Sequence, residues 1–340
     1  VLDKVRSMKH SPLNDRHEKL GAKMADFGGW MMPIEYPGGG VIAEHEAVRN
    51  HVGIFDVSHL GKISVKGEGA KDYLNSILAN DLNLIGNGEA QYTLLCNESG
   101  GVIDDIIAYR NSDDDIFLIP NAANCASVFE VLSKDAPANL EIKNEHESYG
   151  VIAVQGPKSK DLLESLGVKL DIDYMSFTKS NLAGCPVIVC RTGYSGEHGY
   201  EIVPRWIDAA KVWDALIAQL PKFDGLPCGL GARDTLRTEM GYPLHGQDLS
   251  PNISPVTAGA SWAVGFDKPD FHGAVALRKE KSDGSKRKLR GLKFLDRGVP
   301  RSHMRVKQSS KEVGETTSGT FSPTLKTGIS LALIDSDLKI

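Results

Sequence analysis

The chain has 340 residues, 41% of them hydrophobic and 24% charged, with a formal net charge of −5; its mean hydropathy is −0.22 and its isoelectric point is near 6.1. That length allows two or three domains and a well-buried core, and the composition excludes disorder for most of the chain. An acidic balance without a basic stripe among aromatics argues against a nucleic-acid ligand, and no apolar run approaches the roughly 18 residues of a membrane span.

The opening run Val1-Leu2-Asp3-Lys4-Val5-Arg6 lacks the apolar stretch of a signal peptide, so an intracellular protein is expected. Val41, Val48 and Val52 repeat at helical spacing and predict a helix from Val41 to His51, with Gly53 closing its end. Ile63 and Val65 alternate as a strand, and Ala70, Tyr73, Leu74, Ile77 and Leu78 mark one face of a helix. A hairpin follows, from Gln91 to Cys96 and from Val102 to Tyr109, then a strand from Ile116 to Ile119 and a helix through Cys125, Val128, Phe129 and Leu132. This β-α-β-β-β-α order suggests an α+β module inserted over 55–144 into a central domain built from 1–54 and 145–278.

Beyond it, Val151 to Val154 reads as a buried strand stopped by Gln155-Gly156-Pro157, and Pro157 suits the first position of a helix. Val187 to Thr192 and Glu201 to Val203 read as strands around a glycine-rich turn, and Ala209, Val212, Trp213 and Leu216 line a helix. Lys279 to Arg290 has the composition of a linker. The remainder, 279–340, reads as a β-domain with strands near Leu289 to Phe294, Glu312 to Thr317 and Ile329 to Ile334.

Two adjacent aspartates stand inside the strand Val102-Ile103-Asp104-Asp105-Ile106-Ile107-Ala108-Tyr109. Side chains alternate along a strand, so Asp105 shares a face with Ile103, Ile107 and Tyr109, and Asp104 shares the other with Val102, Ile106 and Ala108. One carboxylate is therefore aimed at an apolar face and needs a partner, a cleft or a ligand. Proximity to the wet Gly100-Gly101 turn is the plainer explanation, and the strand alone does not separate the two.

The run Arg191 to Glu201 carries Tyr194 and Glu201 on a glycine-studded hairpin, which suits a flat, hydrogen-bonding heterocycle or is an ordinary turn. In the helix begun by Gly229-Leu230-Gly231, Arg233 falls on a stripe with Leu230, Leu236 and Met240. It is either salt-bridged to Glu201, Asp234 or Glu239, or a fork held out to a ligand. Arg237 is expected to be structural, with Asp234 in reach. Ser58-His59 hints at a hydrolase, but no Gly-x-Ser-x-Gly elbow supports it. Gly246-Gln247-Asp248 and Ser318 to Pro323 read as loops that pack domains together. The five scattered cysteines read as reduced core residues, and neither they nor the ten histidines show metal-binding spacing.

Taken in order, several runs resemble the glycine cleavage T-protein family. They are Phe27-Gly28-Gly29-Trp30-Met31-Met32-Pro33, Gly53 to His59, Asn97 to Asp105, Gln155-Gly156-Pro157, Arg191 to Glu197, Gly229 to Asp234 and Thr317 to Pro323, and the likeness extends from Ser11 to Asp337. The resemblance implies a three-domain cloverleaf around a folate-binding tunnel, with a ferredoxin-like inserted module and a barrel- or jelly-roll-like C-terminal β-domain. It implies an aminomethyltransferase whose lipoylated H-protein partner delivers an aminomethyl group to tetrahydrofolate, without a metal. It makes Asp105 the catalytic carboxylate, in contact with folate, and Tyr92, Tyr174, Tyr194, Glu201 and Arg233 the other folate contacts. The location implied is the bacterial cytoplasm, or the mitochondrial matrix in a eukaryote. Leu60 stands where many members have methionine, and the family pattern leads one to expect about one more pair of strands after Ile340. A folate-dependent demethylase on the same fold and a noncatalytic folate-binding relative remain as alternatives; the latter carries a Lys-Gly-Cys run where this chain reads Gly231-Ala232-Arg233-Asp234.

Overall fold

A computed structural model describes residues 8–338; the opening run read for a leader lies outside them. The chain forms two compact units, one of Val1–Lys62 with Asn144–Leu236 and one of Ile63–Lys143 with Arg237–Ile340.

The first unit is built on a six-stranded sheet, in spatial order Phe177–Leu182, Cys185–Cys190, Gly199–Pro204, Ile152–Gln155, Gly53–Asp56 and Leu226–Cys228. All neighbours are antiparallel except the last pair. One face packs on the helices Ser159–Ser165 and Ala209–Ile217 through Ile54, Ile152, Val154, Tyr200, Ile202, Leu162, Trp213 and Leu216. Period-two alternation on the strands meets helical periodicity here, as the sequence pattern requires. The helix predicted from Val41 runs over Gly40–Asn50. Gly53 does not cap it but opens the next strand, where a Cβ would stand 2.4 Å from Val48 Cγ2 and 2.7 Å from Cys228 Sγ.

In the second unit a five-stranded sheet has the order Glu89–Cys96, Val102–Ser112, Asp115–Ile119, Ile63–Lys66, Glu141–Asn144, with the helices Ala70–Asn75 and Cys125–Lys134 connecting its strands. Without the edge strand Glu89–Cys96, this is the strand order of a split β-α-β, ferredoxin-like module. The first helix ends at Asn75, short of the predicted Leu78, yet Ile77 and Leu78 remain in the core.

Four antiparallel strands make the C-terminal sheet: Arg287–Lys293, Thr327–Asp335, Lys311–Ser322 and Arg305–Gln308. Two expectations fail here. The stretch read as a linker is mostly the helix Ala274–Asp283 and the strand from Arg287; its lysines and arginines solvate a helix face and an edge strand. Ser318 to Ser322, read as loop, is strand, and a register shift between Thr316 and Ser318 accommodates it. All five cysteines are buried, and no helix among the described residues is long and apolar enough to cross a membrane.

Candidate functional site

In the first unit, Tyr200 and Ile202 point into the apolar core, so Glu201 between them faces the other side of the sheet, opposite Ala153. Thr192 donates a hydrogen bond to Glu201 Oε2 at 2.5 Å. The turn that carries both is held by Gln155, whose Nε2 donates to the carbonyls of Thr192 and Tyr200 at 3.2 Å each, while its Oε1 accepts from the Ser195 hydroxyl at 2.6 Å. A Cβ would stand 2.2 Å from Gln155 Oε1 at Gly193 and 2.4 Å from its Cδ at Gly199. The glycines admit this amide, which turns an otherwise ordinary hairpin into a rigid mount.

Arg233 comes from the helix Leu230–Glu239. The entry to that helix is fixed by Glu44, whose carboxylate accepts the backbone N–H of Gly229 at 2.8 Å and that of Tyr36 at 2.6 Å. Burial pushes the Glu44 carboxyl up to about 7 despite these two donors. The half-buried Arg233 guanidinium lies 4.6 Å from the centroid of the Tyr194 ring, a cation–π contact. Among the described residues no carboxylate lies within ion-pair distance of it. Burial lowers its pKa, with Glu201 and Tyr194 acting in the opposite direction. The salt-bridge reading of Arg233 therefore fails, and its donors are left for another acceptor.

Arg237 has the structural role expected of it. It pairs with the buried Asp248 at 2.9 Å, and Asp248 also accepts from Thr317 at 2.5 Å and Ser318 at 2.7 Å. Tyr174 lies beside Arg191. It is 67% exposed, and its ring lies 6.0 Å from the Arg191 guanidinium, beside a surface pocket of about 320 Å³ that it lines with Arg191, His198 and Tyr200.

Ser58-His59 is no nucleophile and base. Ser58 ties two strands together, accepting the N–H of Val151 at 3.1 Å and donating to its carbonyl at 3.3 Å. Burial holds His59 down to about 3, so its ring stays neutral.

The second unit resolves the aspartate pair. Asp104 is fully buried, whereas Asp105 is half-buried on the opposite strand face. Asp104 has partners on all sides: Asn121 N–H at 2.9 Å on Oδ2, and the side-chain amides of Asn121 at 2.9 Å and Asn124 at 2.6 Å on Oδ1. Asp105 accepts from the Asn121 amide at 2.8 Å and from the Tyr92 hydroxyl at 3.1 Å. Tyr92 stacks on the exposed Trp262 at 5.2 Å. Burial and the Asp105 charge raise the Asp104 pKa. Burial also raises that of Asp105, against the hydrogen bonds of Tyr92 and Asn121. The apolar face thus holds the structural carboxylate, and the chemically available one is Asp105. Asn121, Asn124 and His245 were not singled out from the sequence; they lie 16 to 141 positions from this pair, where no local spacing could reveal them.

The geometry is that of a mixed α+β protein with several sheets, a half-buried carboxylate at Asp105 and a guanidinium against a tyrosine ring at Arg233, and comparison with known proteins says which family has this fold. Residues 13–268 match the GCVT N-terminal domain, and residues 287–339 match the glycine cleavage T-protein C-terminal barrel domain. The aminomethyltransferase of Parafrankia sp. (strain EAN1pec) is 58% identical over 329 residues, covering 96% of this chain and 90% of that protein. That of Mycobacterium avium is 58% identical over 331 residues, covering 97% and 90%. The crystal structure of the glycine cleavage system aminomethyltransferase T from Bartonella henselae superimposes with a TM-score of 0.92 at 32% identity, covering 98% of this chain and 92% of that one. The chain belongs to the glycine cleavage T-protein family and is an aminomethyltransferase.

Proposed function

We propose that the donor is an S-aminomethyl group on the lipoyl arm of the glycine cleavage H-protein and that the acceptor is tetrahydrofolate. The C–S and C–N bonds of the aminomethyl group break, its carbon bonds to N5 and N10 of the folate, and the two protons those nitrogens lose go to the sulfur and to the departing amine, giving the dihydrolipoyl protein, ammonia and 5,10-methylenetetrahydrofolate. The observation that carries this reading is the division of labour between the two aspartates. Asp104 is saturated with hydrogen-bond donors inside the core, while Asp105 is held by only two and half-exposed. A carboxylate so placed can orient an amine, hold the proton that it sheds and stabilise the positive charge that develops on the transferred carbon.

Roles for the remaining residues follow from their chemistry. Glu201 and Arg233 together offer an acceptor pair and a donor fork, the complement of a pterin edge that carries both ring N–H groups and a carbonyl. Tyr194 and Tyr92 supply flat apolar surface, and Tyr174 with Arg191 supplies an exposed aromatic and cationic surface for a more distal part of the ligand. For the chain as a whole we propose the central, inserted and C-terminal domains 1–54 with 145–278, 55–144 and 279–340, and, from its bacterial relatives, a place in the bacterial cytoplasm.

The direct test mixes the protein with aminomethylated H-protein and tetrahydrofolate and reads ammonia and methylenetetrahydrofolate together. Equimolar release of both is expected. Ammonia without folate product, or turnover that ignores tetrahydrofolate, would remove the reading.

A further inference from the structure

His245 lies in the segment after the helix Leu230–Glu239, outside every motif that carried the family resemblance. Its ring is fixed at both nitrogens. Nε2 stands 3.0 Å from the carbonyl oxygen of Val102, which can only accept, so Nε2 carries the hydrogen. Nδ1 then offers its lone pair, and the side-chain N–H of Asn124 meets it at 2.9 Å.

This contact fixes the Asn124 amide. With its nitrogen turned to His245, the same NH₂ group has a second hydrogen, which goes to Asp104 Oδ1 at 2.6 Å. Turned the other way, Asn124 would set its carbonyl oxygen against the Asp104 carboxylate, acceptor against acceptor. Asp104 Oδ1 also receives the Asn121 amide, and that amide reaches on to Asp105 Oδ1 at 2.8 Å. A continuous set of hydrogen bonds therefore runs from His245 through Asn124, Asp104 and Asn121 to Asp105, with each amide hydrogen committed to an acceptor.

We propose that His245 is a positioning residue for the aminomethyl transfer: as the neutral Nε2–H tautomer it orients Asn124, thereby holds Asp104 in its donor cage, and so fixes the placement of Asp105. The inference rests on the catalytic assignment of Asp105 made above. His245 itself touches no reacting atom in this scheme. Its effect is to hold a carboxylate that would otherwise rotate in a half-open face, and such supporting hydrogen bonds commonly change rates by 10- to 100-fold.

The test compares kcat and KM for tetrahydrofolate in the H-protein assay for His245→Ala, His245→Gln, Asn124→Ala, the double variant His245→Ala with Asn124→Ala, and Asp105→Asn. His245→Ala should lower kcat about 10- to 100-fold with KM changed less than about threefold. His245→Gln, whose amide can donate to Val102 and accept from Asn124, should restore most of it. Asn124→Ala cuts the same link from the other side, so the double variant should lose no more than the worse single one. Should His245→Ala fail to fold, Asn124→Ala and His245→Gln decide the matter. A normal kcat per folded molecule in His245→Ala and Asn124→Ala, beside a collapsed kcat in Asp105→Asn, overturns the role of His245 alone. A normal kcat in Asp105→Asn overturns the catalytic assignment and the inference with it.

Discussion

At the scale of single residues, Asp104 and Asp105 are chemically identical neighbours with opposite expected phenotypes. Asp105→Asn keeps the volume and one acceptor oxygen on a half-open face, so folding should be nearly unchanged while turnover falls steeply, at least 100-fold for loss of a proton-handling and charge-stabilising group. Asp104→Asn places an NH₂ group among three N–H donors in the core. It should cost about 1–3 kcal/mol of stability, seen as a lower urea midpoint, with a smaller loss of turnover per folded molecule. Equal and mild losses of turnover in both would refute the assignment. Glu201 and Arg233 are read by the same reasoning. Because no ion pair among the described residues consumes the Arg233 donors, alanine at either position should weaken tetrahydrofolate binding by about 2–5 kcal/mol in calorimetry, the range for a desolvated charged hydrogen bond. Unchanged affinity in both folded variants would show that the cluster serves the fold alone.

Elements were legible where one face is apolar and local. The strand Val102–Ser112 alternates in burial as its sequence alternates, and the helix Gly40–Asn50 lies within a residue of its predicted start and end. What the sequence could not say was which aspartate meets the core, because that depends on Asn121 and Asn124 arriving from the next loop. The loop reading of Ser318 to Ser322 failed for a related reason. Gly, Ser and Thr have turn propensity, but here the Thr317 and Ser318 hydroxyls are bound by a buried carboxylate from a distant turn. Asp248 accepts from Thr317, Ser318 and Arg237, all of them buried. Asp248→Ala would take from the buried Arg237, Thr317 and Ser318 the carboxylate that all three share, a change that costs about 3–5 kcal/mol. Replacing Asp248 and Arg237 with Leu and Met should recover much of that loss in a chemical denaturation series; if the single variant unfolds at the wild-type denaturant concentration, the network contributes specificity of pairing but little stability.

For the whole molecule, several core helices and strands followed from periodicity, whereas the helix Ala274–Asp283 and the grouping into two compact units did not, since each unit joins segments far apart in sequence. Buried titratable groups are likewise invisible to a sequence pattern, and in the first unit they set the response to acid. His59 and His146 are buried and neutral, with pKa values pushed by burial down to about 3 and about 4 from an ordinary 6.5. Below pH 6.5 the unfolded chain binds protons that these rings cannot take, so each removes up to about 1.4 kcal/mol of stability per pH unit as pH falls. Glu44 works in the opposite sense. Its carboxyl is raised to about 7 by burial, from 4.5, so between those values the folded state binds the extra proton and acid stabilises it. One carboxyl thus offsets one of the two histidines over most of that window. Glu44→Gln removes the offset without adding charge, and its urea midpoint should fall more steeply than that of the wild type from pH 6.5 to pH 5, by about 1.4 kcal/mol per unit. Tryptophan fluorescence can follow this, because Trp30, Trp206 and Trp213 of the four tryptophans lie in the first unit. Since Gln also faces the Gly229 and Tyr36 N–H groups with only one acceptor, a pH-independent loss is expected on top. The diagnostic quantity is therefore the slope: two parallel curves would mean that Glu44 is already ionised in the folded protein at pH 5.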